Sequence, residues 1–257
     1  MKASMKKQLL AACLLSILVP CSAFATVYID QFSSPPGGQA LTLTGLGSAS
    51  SFVSNLGAST LSGTRYLNVN KTEGTGGSYA VDINNTAYPG IMASSLESGV
   101  NGSASVIWDG NGTGIIDYQM APVDLTEGGL NNVIDIRIIN NDKPGQITLN
   151  FGNGTANSDY TFTLPDYNYT YPLNLSIPFT SWTGVDFSNI TGAGMFLDLL
   201  ASEDLRIDYI SANSTAPVPE PSTLLLLGAG IAGIGLMKRR SKKGLSSVSV
   251  PGRALSF

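Results

Sequence analysis

The chain contains no histidine. That absence removes the side chain whose ordinary pKa lies nearest neutrality. With it go the commonest general base, histidine-dependent triads and most zinc sites. Cysteine is nearly as scarce. The two present, Cys13 and Cys21, both fall within the first 25 residues. The remainder therefore has no disulfide framework, although an oxidising compartment would permit one. Cations are missing from the middle. Of 14 Lys and Arg, nine sit in the end segments: Lys2, Lys6, Lys7, Lys238, Arg239, Arg240, Lys242, Lys243 and Arg253. Residues 26–217 keep five cations against 17 acids, a net charge of −12. A domain with this balance repels polyphosphates and anionic lipid, so nucleic acid is excluded as a partner. Its length of ~190 residues is ample for one core and short for two domains.

The N-terminal segment is built differently. Residues 1–7 carry three lysines, residues 9–19 are almost wholly apolar, and Ala23-Phe24-Ala25 supplies small residues. A charged start, a short apolar run and an A-x-A site form a secretory signal. Signal peptidase is expected to read Ala23 and Ala25 and to remove residues 1–25. The apolar run is short for a permanent anchor. Cys21 raises the alternative of a lipoprotein signal, but Pro20 directly before it fits that pattern poorly.

Residues 26–212 read as β-structure. Residues 132–139 place Ile134, Ile136 and Ile138 on one face, with Asp135 and Arg137 on the other. Residues 146–151 put Ile147, Leu149 and Phe151 inward, and residues 204–210 put Leu205, Ile207 and Tyr209 on one side. Period-two alternation is the signal of a half-buried strand. Turn formers punctuate these runs at Asn101-Gly102, Asn111-Gly112, Lys143-Pro144-Gly145 and Gly152-Asn153-Gly154. The pattern predicts an all-β, antiparallel β-sandwich of jelly-roll type.

A polar linker with three prolines follows at 213–222, and then a C-terminal segment at 223–243. Residues 224–237 form an uncharged run of 14 residues. As a transmembrane helix it would span about 21 Å, against a hydrocarbon core of roughly 30 Å. Lys238-Arg239-Arg240 follows at once and acts as a stop, keeping this end cytoplasmic and the domain outside. A run this short is a poor durable anchor. Val218-Pro219-Glu220-Pro221, the Leu/Gly/Ala run and the basic cluster, in that order, resemble the PEP-CTERM protein-sorting tail. The resemblance implies recognition by an exosortase, a membrane-embedded cysteine transpeptidase-like enzyme. It also implies sorting to the surface of a Gram-negative bacterium that makes exopolysaccharide. The chain continues past the basic cluster through a short tail, 244–257. The alternative is a plain anchor, in which nothing calls for Pro-Glu-Pro. Weaker likenesses, in Trp108-Asp109-Gly110 and in residues 205–210, are to exported β-sandwich domains and to carbohydrate-binding jelly rolls.

Several clusters inside the domain have both a chemical and a structural reading. Asp109, Asn111, Thr113 and Asp117 offer hard oxygens at alternate positions, as a calcium loop does. Met120 stands where the bidentate acid would be, and a Gly/Asn hairpin is the other reading. Asp30 and Asp208, near the two ends of the domain, form a second calcium candidate. No cofactor is expected, and calcium is the one the pattern admits. Tyr167, Tyr169 and Tyr171 alternate on one strand face and, with Trp182, Trp108 and Tyr160, offer rings for stacking on sugars; ordinary sheet packing is the other reading. Sequons occur at Asn70, Asn84, Asn101, Asn111, Asn153, Asn168, Asn174, Asn189 and Asn213, as expected of a chain rich in Asn, Ser and Thr. No carboxylate pair stands out for glycoside hydrolysis, and no G-x-S-x-G elbow is present.

The expectation is a non-enzymatic exported protein. Its partners are signal peptidase, an exosortase-like enzyme, transiently the inner membrane, and exopolysaccharide at the cell surface or in the extracellular matrix. A carbohydrate-binding module of the biofilm matrix is the alternative, and a weak glycosidase the third.

Overall fold

The computed structural model describes residues 26–164 and 172–215. The expected signal segment with Ala23 and Ala25, the tyrosines Tyr167, Tyr169 and Tyr171, and the C-terminal segment from Val218 to Arg240 and beyond lie outside the described residues. Among those described, no helix is long and apolar enough to cross a membrane.

The described residues form thirteen strands: β1 Val27–Asp30, β2 Gln39–Leu43, β3 Gly47–Val53, β4 Arg65–Glu73, β5 Tyr79–Ile83, β6 Met92–Leu96, β7 Asn101–Trp108, β8 Val133–Asn141, β9 Gln146–Gly152, β10 Asn157–Thr163, β11 Leu173–Pro178, β12 Gly192–Leu199 and β13 Asp204–Asn213. They form two sheets. The first has the order β11-β8-β13-β6-β5-β2, with β1 also against β13; the second has the order β10-β9-β12-β7-β4-β3. Every pairing is antiparallel.

The two orders match rank for rank. β2 corresponds to β3, β5 to β4, β6 to β7, β13 to β12, β8 to β9 and β11 to β10. Each such pair is consecutive in sequence and crosses from one sheet to the other. The last pair, β12–β13, is inserted between β6–β7 and β8–β9. A ribbon of antiparallel pairs wound in this way is a jelly roll, as the alternation predicted.

The core lies between the sheets. Ile134, Ile136 and Ile138 of β8 meet Ile147, Leu149 and Phe151 of β9 in one buried cluster, all of them inward as expected. Each such side chain contributes about 1.5–3 kcal/mol relative to exposure. β13 departs from its expected pattern. Leu205 and Ile207 point inward, but the register shifts on either side of Ile207, and Ile210 rather than Tyr209 takes the next core position. A bulge inserts a residue and flips the alternation beyond it, so Tyr209 is half-buried on the outer side.

One ion pair is sealed inside. Arg65 and Asp30 are both 0% exposed. Arg65 donates from Nε to Asp30 Oδ2 at 2.6 Å, from Nη2 to Oδ1 at 2.7 Å, and from Nη1 to the Ser34 carbonyl at 2.8 Å. Trp108 Nε1 adds a bond to Oδ2 at 2.8 Å, and the Phe32 amide one to Oδ1 at 2.7 Å. Four N–H donors fill the Asp30 carboxylate. The second calcium candidate paired Asp30 with Asp208; in the structure these donors occupy the Asp30 carboxylate. Asp208 instead faces Arg137, at 3.4 Å.

Candidate functional site

The outer face of the second sheet is set out in rows by its register. One row runs Ser50, Asn68, Ser105, Phe196, Thr148, Thr161; the next runs Ser48, Asn70, Ser103, Asp198, Gln146, Thr163. These are the residues that period-two pleating turns away from the core. An outer face of this kind is usually rich in Lys and Glu. Here small hydroxyls and amides dominate, with one ring and one carboxylate.

Phe196 is 38% exposed at the centre of this face. Its ring leans over the neighbouring glycine on the same strand, with Cε2 3.4 Å from where a Cβ on Gly194 would stand. Asn68, Ser103, Ser105, Thr148, Phe196 and Asp198 line a shallow groove of about 420 Å³. That size and composition suit an extended polyhydroxylated ligand: an apolar ring face with a few polar groups around it.

A strap closes one end of the groove. After β7 the chain does not turn back as a simple hairpin. Residues 109–120 cross the outer face of the sheet, over the adjoining row Phe52, Tyr66, Ile107, Gly194, Asn150, Asp159. Gly112 rides on Phe52 of β3 and Gly114 on Tyr66 of β4; added Cβ atoms would come 2.8 Å and 2.7 Å from those side chains. Ile116 rests over Gly192 and Gly194 of β12, and Tyr118 over Gly152 of β9. Glycine on one partner at each crossing lets the two backbones approach. Tyr118 Oη donates to Asn150 Oδ1 at 2.7 Å, and Asn150 Nδ2 donates to Asp159 Oδ1 at 2.6 Å, which pins the far end. The strap also explains why Ile107, on an outward position of β7, is buried.

The four calcium candidates lie at the start of this strap, where the structure brings them together and bonds them to one another. Asp109 Oδ1 accepts from the Asn111 amide at 3.0 Å, and its Oδ2 from the Asp117 amide at 3.3 Å. Asn111 Oδ1 accepts from the Thr113 amide and hydroxyl at 2.9 Å and 2.8 Å, and its Nδ2 donates to Asp117 Oδ2. Burial is the main cause that raises the Asp109 pKa, and the neighbouring Asp117 charge adds to it. Among the described residues no group of three or more Asp or Glu is placed to hold a metal ion.

The ring candidates fare differently. Trp182 is 2% exposed and sits among Phe151, Tyr160 and Phe187, its centroid 5.3–5.5 Å from theirs. Its Nε1 donates to the Leu149 carbonyl at 3.1 Å. As a sugar platform it is corrected to a core residue, because the indole gains more from burial with its N–H satisfied than from exposure. Trp108 is buried on Asp30, and Tyr160 packs on Trp182.

Glu203 is a buried acid with a strongly raised pKa. Desolvation by burial pushes it up to about 7, and Asp142 and Asp198 add to the rise. Its Oε2 accepts from the Leu200 amide at 2.7 Å, while Oε1 faces Gly145 and has no partner. The group is sealed beneath the β8–β9 turn and cannot touch a substrate.

No curated protein matches the chain. Among solved structures it is similar to a family 11 carbohydrate-binding module from Clostridium thermocellum in complex with a β-1,3-1,4-mixed-linked tetrasaccharide. The identity is 14%, the match covers 75% of this chain and 98% of that one, and the TM-score is 0.35. The corresponding module of the cellulosomal cellulase Lic26A-Cel5E of the same organism matches at 13% identity over 76% and 97% of the two chains, with a TM-score of 0.35. A family 29 carbohydrate-binding module variant matches at 11% identity over 77% and 96%, with a TM-score of 0.32. Likenesses at this level bear on neither ligand nor activity, and the sandwich stands on its own strand pairing. The C-terminal match is of another kind: residues 217–240, which hold Pro219-Glu220-Pro221 and the basic cluster, carry the PEP-CTERM protein-sorting motif.

Proposed function

We propose that the protein is a non-enzymatic, exported component of the cell surface or exopolysaccharide matrix. Signal peptidase removes residues 1–25. The sandwich folds outside the cytoplasm while residues 223–243 hold the chain at the inner membrane. An exosortase-type enzyme then reads Val218, Pro219, Glu220 and Pro221, with Lys238, Arg239 and Arg240 as the stop. The observation that carries this reading is the sorting motif at 217–240. The mass of the C-terminal peptide, taken from envelope and medium fractions, tests it. A mature chain ending before Leu224 supports sorting; peptides through Phe257 persisting in the inner membrane would reduce the segment to an anchor.

The groove favours a second reading, in which the domain binds glycan in the matrix. Phe196 supplies a ring on an otherwise hydroxyl- and amide-lined face, and the strap bounds it at one end. Retention of the protein on an insoluble polysaccharide, and its loss in Phe196→Ala, is the test.

A further inference from the structure

The first sheet has a break in it. On one side β13 pairs with β6 over residues 204–207 and with β1 over residues 210–212; Asp208 and Tyr209 pair with neither. The bulge beside Ile207 turns both side chains outward. The result is a notch of about 300 Å³ with Asp208 and Tyr209 as its floor. Tyr28, Gln31 and Ser33 form one wall, and Pro89 and Gly90 the other.

One side chain fixes both walls. Asn84 Nδ2 donates to the carbonyls of Ser33 and Pro35, at 2.8 Å each, and its Oδ1 accepts from the Gly90 amide at 2.9 Å. Asn84 has a φ of 54°, in the left-handed region that asparagine tolerates better than most residues. The same carboxamide thus ties together the two loops that face each other, and the notch is formed before any ligand arrives. Preorganisation of this kind lowers the ordering cost of binding. Tyr28 and Tyr209 meet edge to face, centroids 5.9 Å apart at 89°. The pair holds its rings without stacking them, which leaves ring surface for a third partner.

The charges nearby are already engaged. Arg137 pairs with Asp208, and Arg206 donates to Tyr88 Oη at 3.0 Å while lying over that ring at 4.3 Å. Elsewhere Arg65 is buried on Asp30, Lys71 is buried and donates to the carbonyls of Thr44 and Gly77, and Lys143 donates to the Ala201 carbonyl at 2.8 Å. Every cation among the described residues therefore has a partner. An anionic ligand would meet an acidic domain whose cations near the notch, Arg137 and Arg206, already face Asp208 and Tyr88. A neutral ligand with one apolar face and several hydroxyls meets tyrosine rings, a carboxylate acceptor, an amide and a serine.

We propose that this notch binds one monosaccharide residue of an uncharged glycan. The sugar's C–H face lies against the tyrosine pair, and its hydroxyls donate to Asp208 and bond to Gln31 and Ser33. The proposal rests on the glycan-binding reading above but uses a different site from the Phe196 groove, on the other sheet.

The test is saturation-transfer NMR on the full chain in a sugar-free detergent, with glucose, galactose, mannose and N-acetylglucosamine, each at about 10 mM, the range in which single sugar residues bind. At least one sugar is expected to receive saturation. Tyr209→Ala, Tyr28→Ala and Asp208→Asn are each expected to cut it at least about fivefold, the loss expected for one ring or charged contact. Tyr209→Phe, which keeps the ring, and Leu46→Ala, an exposed apolar side chain outside the notch lining, should leave it intact. If Tyr209→Ala fails to fold, Asp208→Asn, which keeps the shape of the site, decides. Saturation unchanged in the folded notch variants, or abolished by Phe196→Ala, overturns the notch. Silence from all four sugars, with polysaccharide retention through Phe196 intact, overturns the notch and leaves the groove reading standing. Silence in both assays overturns both.

Discussion

Arg65 grips both carboxylate oxygens of Asp30, across 35 residues of sequence and with neither side chain exposed. The pair fastens β1, the first strand, to β4 of the opposite sheet, and Trp108 adds β7 to the same carboxylate. Removing one partner leaves a buried charge. Arg65→Ala is expected to destabilise the domain by about 3–5 kcal/mol, read as a lower midpoint in urea unfolding. The double variant Asp30→Asn, Arg65→Met removes both charges and should lose much less.

Glu203 makes stability depend on pH with an unusual sign. Its pKa is raised from 4.5 to about 7 in the folded chain. Between those values the folded state holds a proton that the unfolded state has released. Stability is therefore full below about pH 4.5, falls as pH rises to about 7, and is flat beyond. The loss is ~1–3 kcal/mol. Asp142 and Asp198 face the group and deepen the fall; Lys143 opposes it. Thermal unfolding of Glu203→Gln should show a flatter profile and a higher midpoint than the parent at pH 8. A parent midpoint that rises from pH 5 to 7 through this group would contradict the assignment.

Gly114 lies over the Tyr66 hydroxyl with a φ of 79°. Gly114→Ala must both clash and strain, at a cost of about 1–3 kcal/mol. Because the strap lies on the outer face, the effect should be local. Hydrogen exchange should quicken in residues 109–120 while the amides of β8 and β9 keep their protection.

Phe196→Ala removes a half-exposed ring from the groove. Stability should change by no more than about 0.5 kcal/mol, as for a surface site. Polysaccharide retention, if the groove is the contact, should fall roughly tenfold.

Calcium is a direct question for the strap. The oxygens of Asp109, Asn111 and Asp117 already accept hydrogen bonds from within the loop. Millimolar calcium should therefore move the thermal midpoint by less than about 1 °C, since only a ligand bound well below its working concentration stabilises appreciably. A larger rise, lost in Asp117→Asn, would establish the site.

Most of the fold was legible because alternation is a strong signal where one face is buried. Ile134, Ile136 and Ile138 announce both strand and face. Tyr209 was misplaced because a bulge is set by pairing on both flanks of β13, which no single strand records. Trp182 kept two readings, platform or packing, because a ring's exposure depends on how the link before β12 folds back over β9. Phe196 was missed for a plainer reason: it stands between Met195 and Leu197, and an apolar run hides an outward residue until the partner strands are known. The calcium spacing 109–117 was real as a cluster, but spacing alone does not say that those oxygens bond to their own loop. The sorting motif needed no fold at all, since an ordered tripartite tail is linear information.

β13 has a mechanical consequence. It is flanked along nearly its whole length by β8 on one side and by β6 and then β1 on the other, and it ends at Asn213, four residues before the sorting motif begins. Any tension delivered through that end runs along the axis of a central strand. It loads two ladders in shear at once instead of peeling one edge. A domain held at a cell surface by this end would resist flow through its most heavily bonded strand.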